Sequence, residues 1–92
     1  MSSASAEIKC IGNVQGVGYR YFCLQKAKQH NLTGWVKNCP DGTVDLAIEG
    51  EKQTIEEFIT LLKEGPRAAE VTDVLIHWGE KLHKFSNFEI RY

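Results

Sequence analysis

Within IGNVQGVGYRYFCLQ (Ile11–Gln25), Gly12, Gly16 and Gly18 precede Arg20 at the point where a helix is expected to begin. A strand, a glycine-rich loop and a helix N-terminus in that order can bind an anion, because successive backbone N–H groups turn inward and the first helical amides join them. A fixed positive charge at that helix end is mildly unfavourable alone and becomes favourable when an anion lies between the two. Arg20 supplies a planar fork that can hold two phosphate oxygens at once. The candidate cradle is therefore Gln15, Gly16, Val17, Gly18, Tyr19 and Arg20. No Gly-Lys-Ser/Thr follows, and the third position after Gly18 is Tyr21 rather than glycine, so neither the nucleotide loop nor the dinucleotide fingerprint is present. A tight turn followed by a solvated arginine fits the same residues.

Asn38 is the second candidate. A crossover from the first strand through the helix to the second strand makes those strands parallel and brings their C-terminal ends to one edge of the sheet, where Asn38 can face the glycine loop. An asparagine there can accept a hydrogen bond from a water and orient it, although it is no strong base. It also fits as an ordinary polar residue opening the Pro40-Asp41-Gly42 turn.

These residues need elements to position them. Glu7–Ile11 alternates as a strand; Tyr19, Cys23, Leu24 and Ala27 share one face of a helix of about three turns, and Asn31 suits its left-handed cap. Thr33–Lys37 and Thr43–Glu49 flank the turn signal Cys39-Pro40-Asp41-Gly42 as a hairpin, with Val44, Leu46 and Ile48 on its buried face. Thr54 and Glu57 have the spacing of a capping box, and Ile55, Phe58, Ile59 and Leu62 recur at helical spacing until Gly65-Pro66. Val71–Trp78, with Val74, Ile76 and Trp78 on one face, and Phe85–Tyr92, with Phe88, Ile90 and Tyr92 on one face, read as two further strands. The order βαββαββ predicts an α+β fold, a ferredoxin-like α/β sandwich with two helices packed on one face of a five-stranded, antiparallel-dominated sheet.

A chain of 92 residues is read as one domain, residues 1–92, with residues 1–6 as a flexible N-terminal segment. Eleven basic and twelve acidic residues give a net charge of -1, so no global attraction to nucleic acid or an anionic membrane is expected and anion binding must be local. Cys10, Cys23 and Cys39 form no CxxC pair, which fits free thiols in a reducing cytoplasm. MSSASAE lacks the features of a secretory leader, and no run approaches the roughly 20 apolar residues of a membrane helix. A cytoplasmic monomer is the expectation. His30, His77 and His83 have no metal-ligand spacing.

The blocks GNVQGVGYR (Gly12–Arg20), GWVKN (Gly34–Asn38), DGTV (Asp41–Val44), GPRAAEV (Gly65–Val71) and FEIRY (Phe88–Tyr92) resemble an acylphosphatase in order and over nearly the whole length. The resemblance implies an α/β sandwich with a five-stranded antiparallel sheet and hydrolysis of carboxyl phosphates to a carboxylate and inorganic phosphate, which would also serve as a competitive ligand. It implies that Arg20 and the loop amides hold the phosphoryl group and that Asn38 positions the attacking water, with no metal, no cofactor and no covalent phosphoenzyme. Acetyl phosphate, carbamoyl phosphate and the acyl phosphate of glycolysis are the substrates it suggests. Asn13 stands where relatives often carry arginine, and Tyr19 replaces a common phenylalanine whose packing it is expected to reproduce, with its hydroxyl finding water or a polar partner.

Two other classes bear on the same residues. A cysteine phosphatase needs its nucleophile inside the anion loop, and Cys10 and Cys23 lie outside Gln15–Arg20 and read as core thiols; Cys39, beside Asn38 in an exposed turn, could be oxidised and perturb the site. A non-catalytic anion sensor could use the loop without turnover; an RNA-binding role lacks the basic and aromatic run it would require.

Overall fold

The structure is a computed structural model describing residues 3–79, 82 and 85–92. Its elements are β1 (Ser3–Asn13), α1 (Tyr19–Gln29), β2 (Thr33–Asn38), β3 (Val44–Glu51), α2 (Lys52–Glu64), β4 (Glu70–Gly79) and β5 (Phe88–Arg91), the expected order. They form one sheet ordered β4-β1-β3-β2-β5 with both helices on the same face. Neighbours pair antiparallel except β2 and β5, which are parallel, so the sheet is antiparallel-dominated rather than wholly antiparallel.

Alternation along the strands places the core. Ala6, Ile8 and Cys10 of β1, Val36 of β2, and Val44, Leu46 and Ile48 of β3 turn toward the helices. There they meet Tyr19, Cys23 and Ala27 of α1 and Ile55, Phe58, Ile59 and Leu62 of α2, spaced at the helical period. Leu24, placed on the same face of α1, is only partly buried. Asn31 has φ 57° as its position demanded, and the chain returns with Leu32 N–H donating to the Ala27 carbonyl at 2.9 Å.

Several boundaries differ from the sequence reading. β1 starts at Ser3 rather than Glu7: residues 3–6, expected as a flexible segment, pair with β3 from Ser3↔Glu51 to Ala6↔Ile48. The small Ser5 and Ala6 side chains are buried there, where the long β3 still offers an open ladder. The Thr54–Glu57 capping box is not used. Because β3 pairs as far as Glu51, the chain enters α2 directly from the strand; extended Glu51 becomes the N-cap with no side-chain cap bond, and Thr54 falls inside the first turn. Val74, Ile76 and Trp78 do face the helix side, opposite Cys10, Ile8 and Ala6. On an edge strand, however, Ile76 and Trp78 each stay 37% exposed, and Trp78 takes the Lys52 ammonium 5.4 Å above its ring. β5 begins at Phe88 rather than Phe85, whose N–H donates at 3.1 Å to the Glu49 carboxylate instead of a ladder carbonyl. Of that strand's expected face, Phe88 is buried, Ile90 packs against the core and Tyr92 is exposed.

Tyr19 joins the two helices. Its buried hydroxyl donates to the Leu62 carbonyl at 2.8 Å, with Cys10 Sγ 3.3 Å from the same oxygen. Leu62 lies in the last turn of α2, where carbonyls lack an intrahelical donor, so the first residue of α1 satisfies the end of α2.

Two stability measurements by urea unfolding follow. Phe58→Ala, at a site with no solvent exposure, should lower the unfolding free energy by about 3–5 kcal/mol through lost burial and a residual cavity. Tyr19→Phe should cost about 1–3 kcal/mol by leaving the Leu62 carbonyl buried without its donor; a variant as stable as wild type would mean that the bond contributes nothing net.

Candidate active site

The loop between β1 and α1 is pinned from beneath by Val14, which is fully buried, and Val17, which packs partly against the core. Gly16 and Gly18 have φ 72° and 78°, with Val17 between them in the ordinary negative region. A Cβ at either glycine would meet open space, so the requirement is for the left-handed conformation, which costs a chiral residue about 1–2 kcal/mol, and not for room. Such alternation of hand turns successive N–H groups to one side. Among the described residues, none of the backbone N–H groups from Gln15 to Arg20 reaches a carbonyl acceptor. The first turn of α1 carries no acidic residue, and left-handed Gly18 makes no side-chain cap. Among the described residues nothing in the first turn compensates the positive end of the helix.

Arg20, the second residue of α1, is in none of the salt bridges among the described residues. Its guanidinium carbon lies 5.0 Å from the centroid of the Tyr92 ring, whose π face attracts the cation and steadies the fork. Gly16, Gly18 and Arg20, with Tyr21, Ile90 and Tyr92, line a hollow of about 290 Å³. Larger hollows of about 390 and 740 Å³ occupy the sheet face away from the helices, around Trp35, Glu7 and His77, and neither includes the loop; Asn38 lines none of the three.

Asn38 ends β2. Val44 of β3 faces Asn38 on one side and Cys10 of β1 on the other, so the ends of β1 and β2 share an edge of the sheet. Asn38 Oδ1 is buried and finds no hydrogen-bond donor among the described residues. A buried acceptor left in that condition is unfavourable, and a water is the small donor that would satisfy it.

The six cradle residues do not play equal parts. The Gly16, Gly18 and Arg20 positions open onto the hollow. The Tyr19 side chain is buried with its hydroxyl on Leu62, and Val17 packs against the core, so both offer an anion only their amides. Gln15 turns its side chain away from the hollow altogether: Nε2 donates to the Cys39 carbonyl at 2.8 Å and the Thr43 carbonyl at 2.9 Å, binding the loop to the turn after Asn38. Sequence reasoning missed this tie and the Tyr92 contact, since both join segments far apart in the chain.

The Cys39–Thr43 turn is also held from the sheet. Lys9 Nζ stands 3.2 Å from Thr43 Oγ1 and 3.1 Å from Asp45 Oδ1, and the Asp45 carboxylate raises its pKa above the usual lysine value. Asp41 Oδ1 accepts from Thr43 Oγ1 at 2.6 Å and Thr43 N–H at 3.1 Å, which hold its carboxyl below the usual range. The thiols move the other way. Burial pushes Cys10 up to about 11 and Cys23 well above its ordinary value, and Cys39 is raised by partial desolvation and by Asp45. All three are protonated at neutral pH, which disfavours a thiolate attack on phosphorus. Among the described residues no group of three or more His, Cys, Asp or Glu side chains could hold a metal ion; His83 lies outside them.

Comparison with known proteins gives the family. The acylphosphatase family profile matches residues 6–90. An acylphosphatase of Bacillus licheniformis is 42% identical over 81 residues, covering 88% of this chain and 90% of that protein. One of Thermus thermophilus is 49% identical over 70 residues, covering 76% and 80%. The crystal structure of acylphosphatase from Bacillus subtilis superposes with a TM-score of 0.95 at 36% identity, covering 97% of this chain and 99% of that one.

Proposed function

The chain belongs to the acylphosphatase family and is a hydrolase of acyl phosphates, and from that premise we propose that Arg20 and the loop amides hold the phosphoryl group while Asn38 orients the water that attacks it. The observation that carries this reading is Asn38 Oδ1, a buried acceptor with no donor among the described residues, on the sheet edge from which the glycine loop departs.

The phosphoryl oxygens sit against the N–H groups of Gln15, Gly16, Val17, Gly18, Tyr19 and Arg20, with the Arg20 fork on two of them. Asn38 Oδ1 accepts one hydrogen of the water, which directs an oxygen lone pair toward phosphorus, in line with the bond to the acyl oxygen. The new P–O bond forms as that bond breaks and the carboxylate departs; the water's proton passes to a substrate oxygen. A carboxylate is a good leaving group, so positioning and charge stabilisation suffice without a strong base. Inorganic phosphate, which presents the same oxygens, competes for the cradle. This reading is of a monomer acting in the reducing cytoplasm without a nucleic-acid or membrane partner. Free thiols fit a reducing compartment, and the slightly negative net charge gives no general attraction to nucleic acid or an anionic membrane.

Hydrolysis of benzoyl phosphate, followed by loss of absorbance in the presence of EDTA, tests it. EDTA should leave the wild-type rate unchanged. Arg20→Ala should lose on the order of 10²-fold or more in turnover and bind phosphate more weakly, since it removes a charged donor to the phosphoryl oxygens. Asn38→Ala should lose turnover while keeping the wild-type inhibition constant for phosphate. The opposite pattern, weakened phosphate binding with turnover spared, would overturn the role given to Asn38.

A further inference from the structure

We propose that Gln15 is a positioning residue, whose side-chain amide fixes the phosphate loop against the turn that carries Asn38 and so sets where the oriented water stands relative to the phosphoryl group. The inference rests on the roles given above to the loop and Asn38. Both hydrogens of Gln15 Nε2 are spent on carbonyls of the turn, Cys39 at 2.8 Å and Thr43 at 2.9 Å. Two acceptors in that position can be met only by the NH2 end of the side chain, which settles its orientation. The same carbonyls also accept from within the turn, Cys39 from Gly42 N–H at 3.1 Å and Thr43 from Cys39 N–H at 2.9 Å.

The turn therefore keeps its shape through its own bonds, Asp41 and Lys9. What Gln15 adds is the tie across to the loop. Cys39 is bonded directly to Asn38 in the chain, so a shift of the Cys39 carbonyl moves the asparagine with it. Displacement by a fraction of an ångström to an ångström is enough to spoil alignment of an attacking water while leaving the phosphate cradle formed.

A double-mutant cycle separates this from a general structural role. Gln15→Met keeps the length of the side chain and removes both donors without adding charge. It should lower turnover of benzoyl phosphate on the order of tenfold or more and leave the inhibition constant of inorganic phosphate unchanged. Combined with Asn38→Ala, it should lower turnover no further than Asn38→Ala alone, because it acts through that residue. Gln15→Asn, which withdraws the amide by one methylene, gives the same cycle should Gln15→Met fail to fold. Equal losses from the Gln15 substitution with and without Asn38, or phosphate binding that weakens in step with turnover, would overturn the inference while leaving Asn38's role standing. Wild-type turnover by Asn38→Ala itself would instead bring down the water-orienting role and the inference built on it.

Discussion

Val44 pairs with Cys10 on one side and Asn38 on the other, and the candidate site depends on that shared register. Side chains alternate with a period of two along a strand, so a slip of one residue between β3 and β2 would send Asn38 to the opposite face and carry Val36 out of the core with it. Hydrophobic burial thus specifies the position of a polar side chain. The free energy that keeps Val36, Val44, Leu46 and Ile48 beneath the helices also keeps Asn38 beside the loop that leaves β1.

The same economy holds at the start of α1. Tyr19 puts its ring into the core and its hydroxyl on the far end of α2, while its backbone belongs to the exposed helix terminus. Anchoring one atom set immobilises the other. The amides that follow Gly16 and Gly18 are presented by a backbone tied down by Val14, Val17 and Tyr19. Among the described residues the loop's N–H groups meet no carbonyl, the first turn of α1 carries no acid, and Arg20 lies against an aromatic ring and in no salt bridge. A carboxylate partner would neutralise Arg20, whereas a π face attracts the cation and leaves its charge in place.

Charge elsewhere is kept apart from this region. Lys9 pairs with Asp45 on the sheet face away from the helices, where Lys37 and Arg91 lie 5.5 and 5.2 Å from the Trp35 ring centroid. With a net charge of -1, the chain's candidate anion cradle relies on local groups rather than on overall charge. Lys9 and Asp45 also brace the hairpin turn from behind, so the turn's shape rests on the sheet and its distance from the loop rests on Gln15.

By itself, the sequence determined the features that depend on neighbours a few residues apart. The 3.6-residue recurrence of Ile55, Phe58, Ile59 and Leu62, the Pro40-Asp41-Gly42 turn, the left-handed Asn31 and the glycine loop before Arg20 were legible because local backbone preference and side-chain periodicity act over that range. The blocks around Arg20 and Asn38 were specific enough to resemble one family over most of the chain. Tertiary structure alone decided the rest. Ser3–Ala6 became strand because β3 offered it a ladder, Thr54 lost its capping role because that ladder reached Glu51, and Phe85 left β5 for the Glu49 carboxylate. The Tyr19 ring packed as expected, but which carbonyls the side chains of Gln15 and Tyr19 reach, 24 and 43 residues away, depended on the assembled fold. A donor goes to the nearest unsatisfied acceptor in space, and which acceptors are near is set only when the strands have paired and the helices have docked.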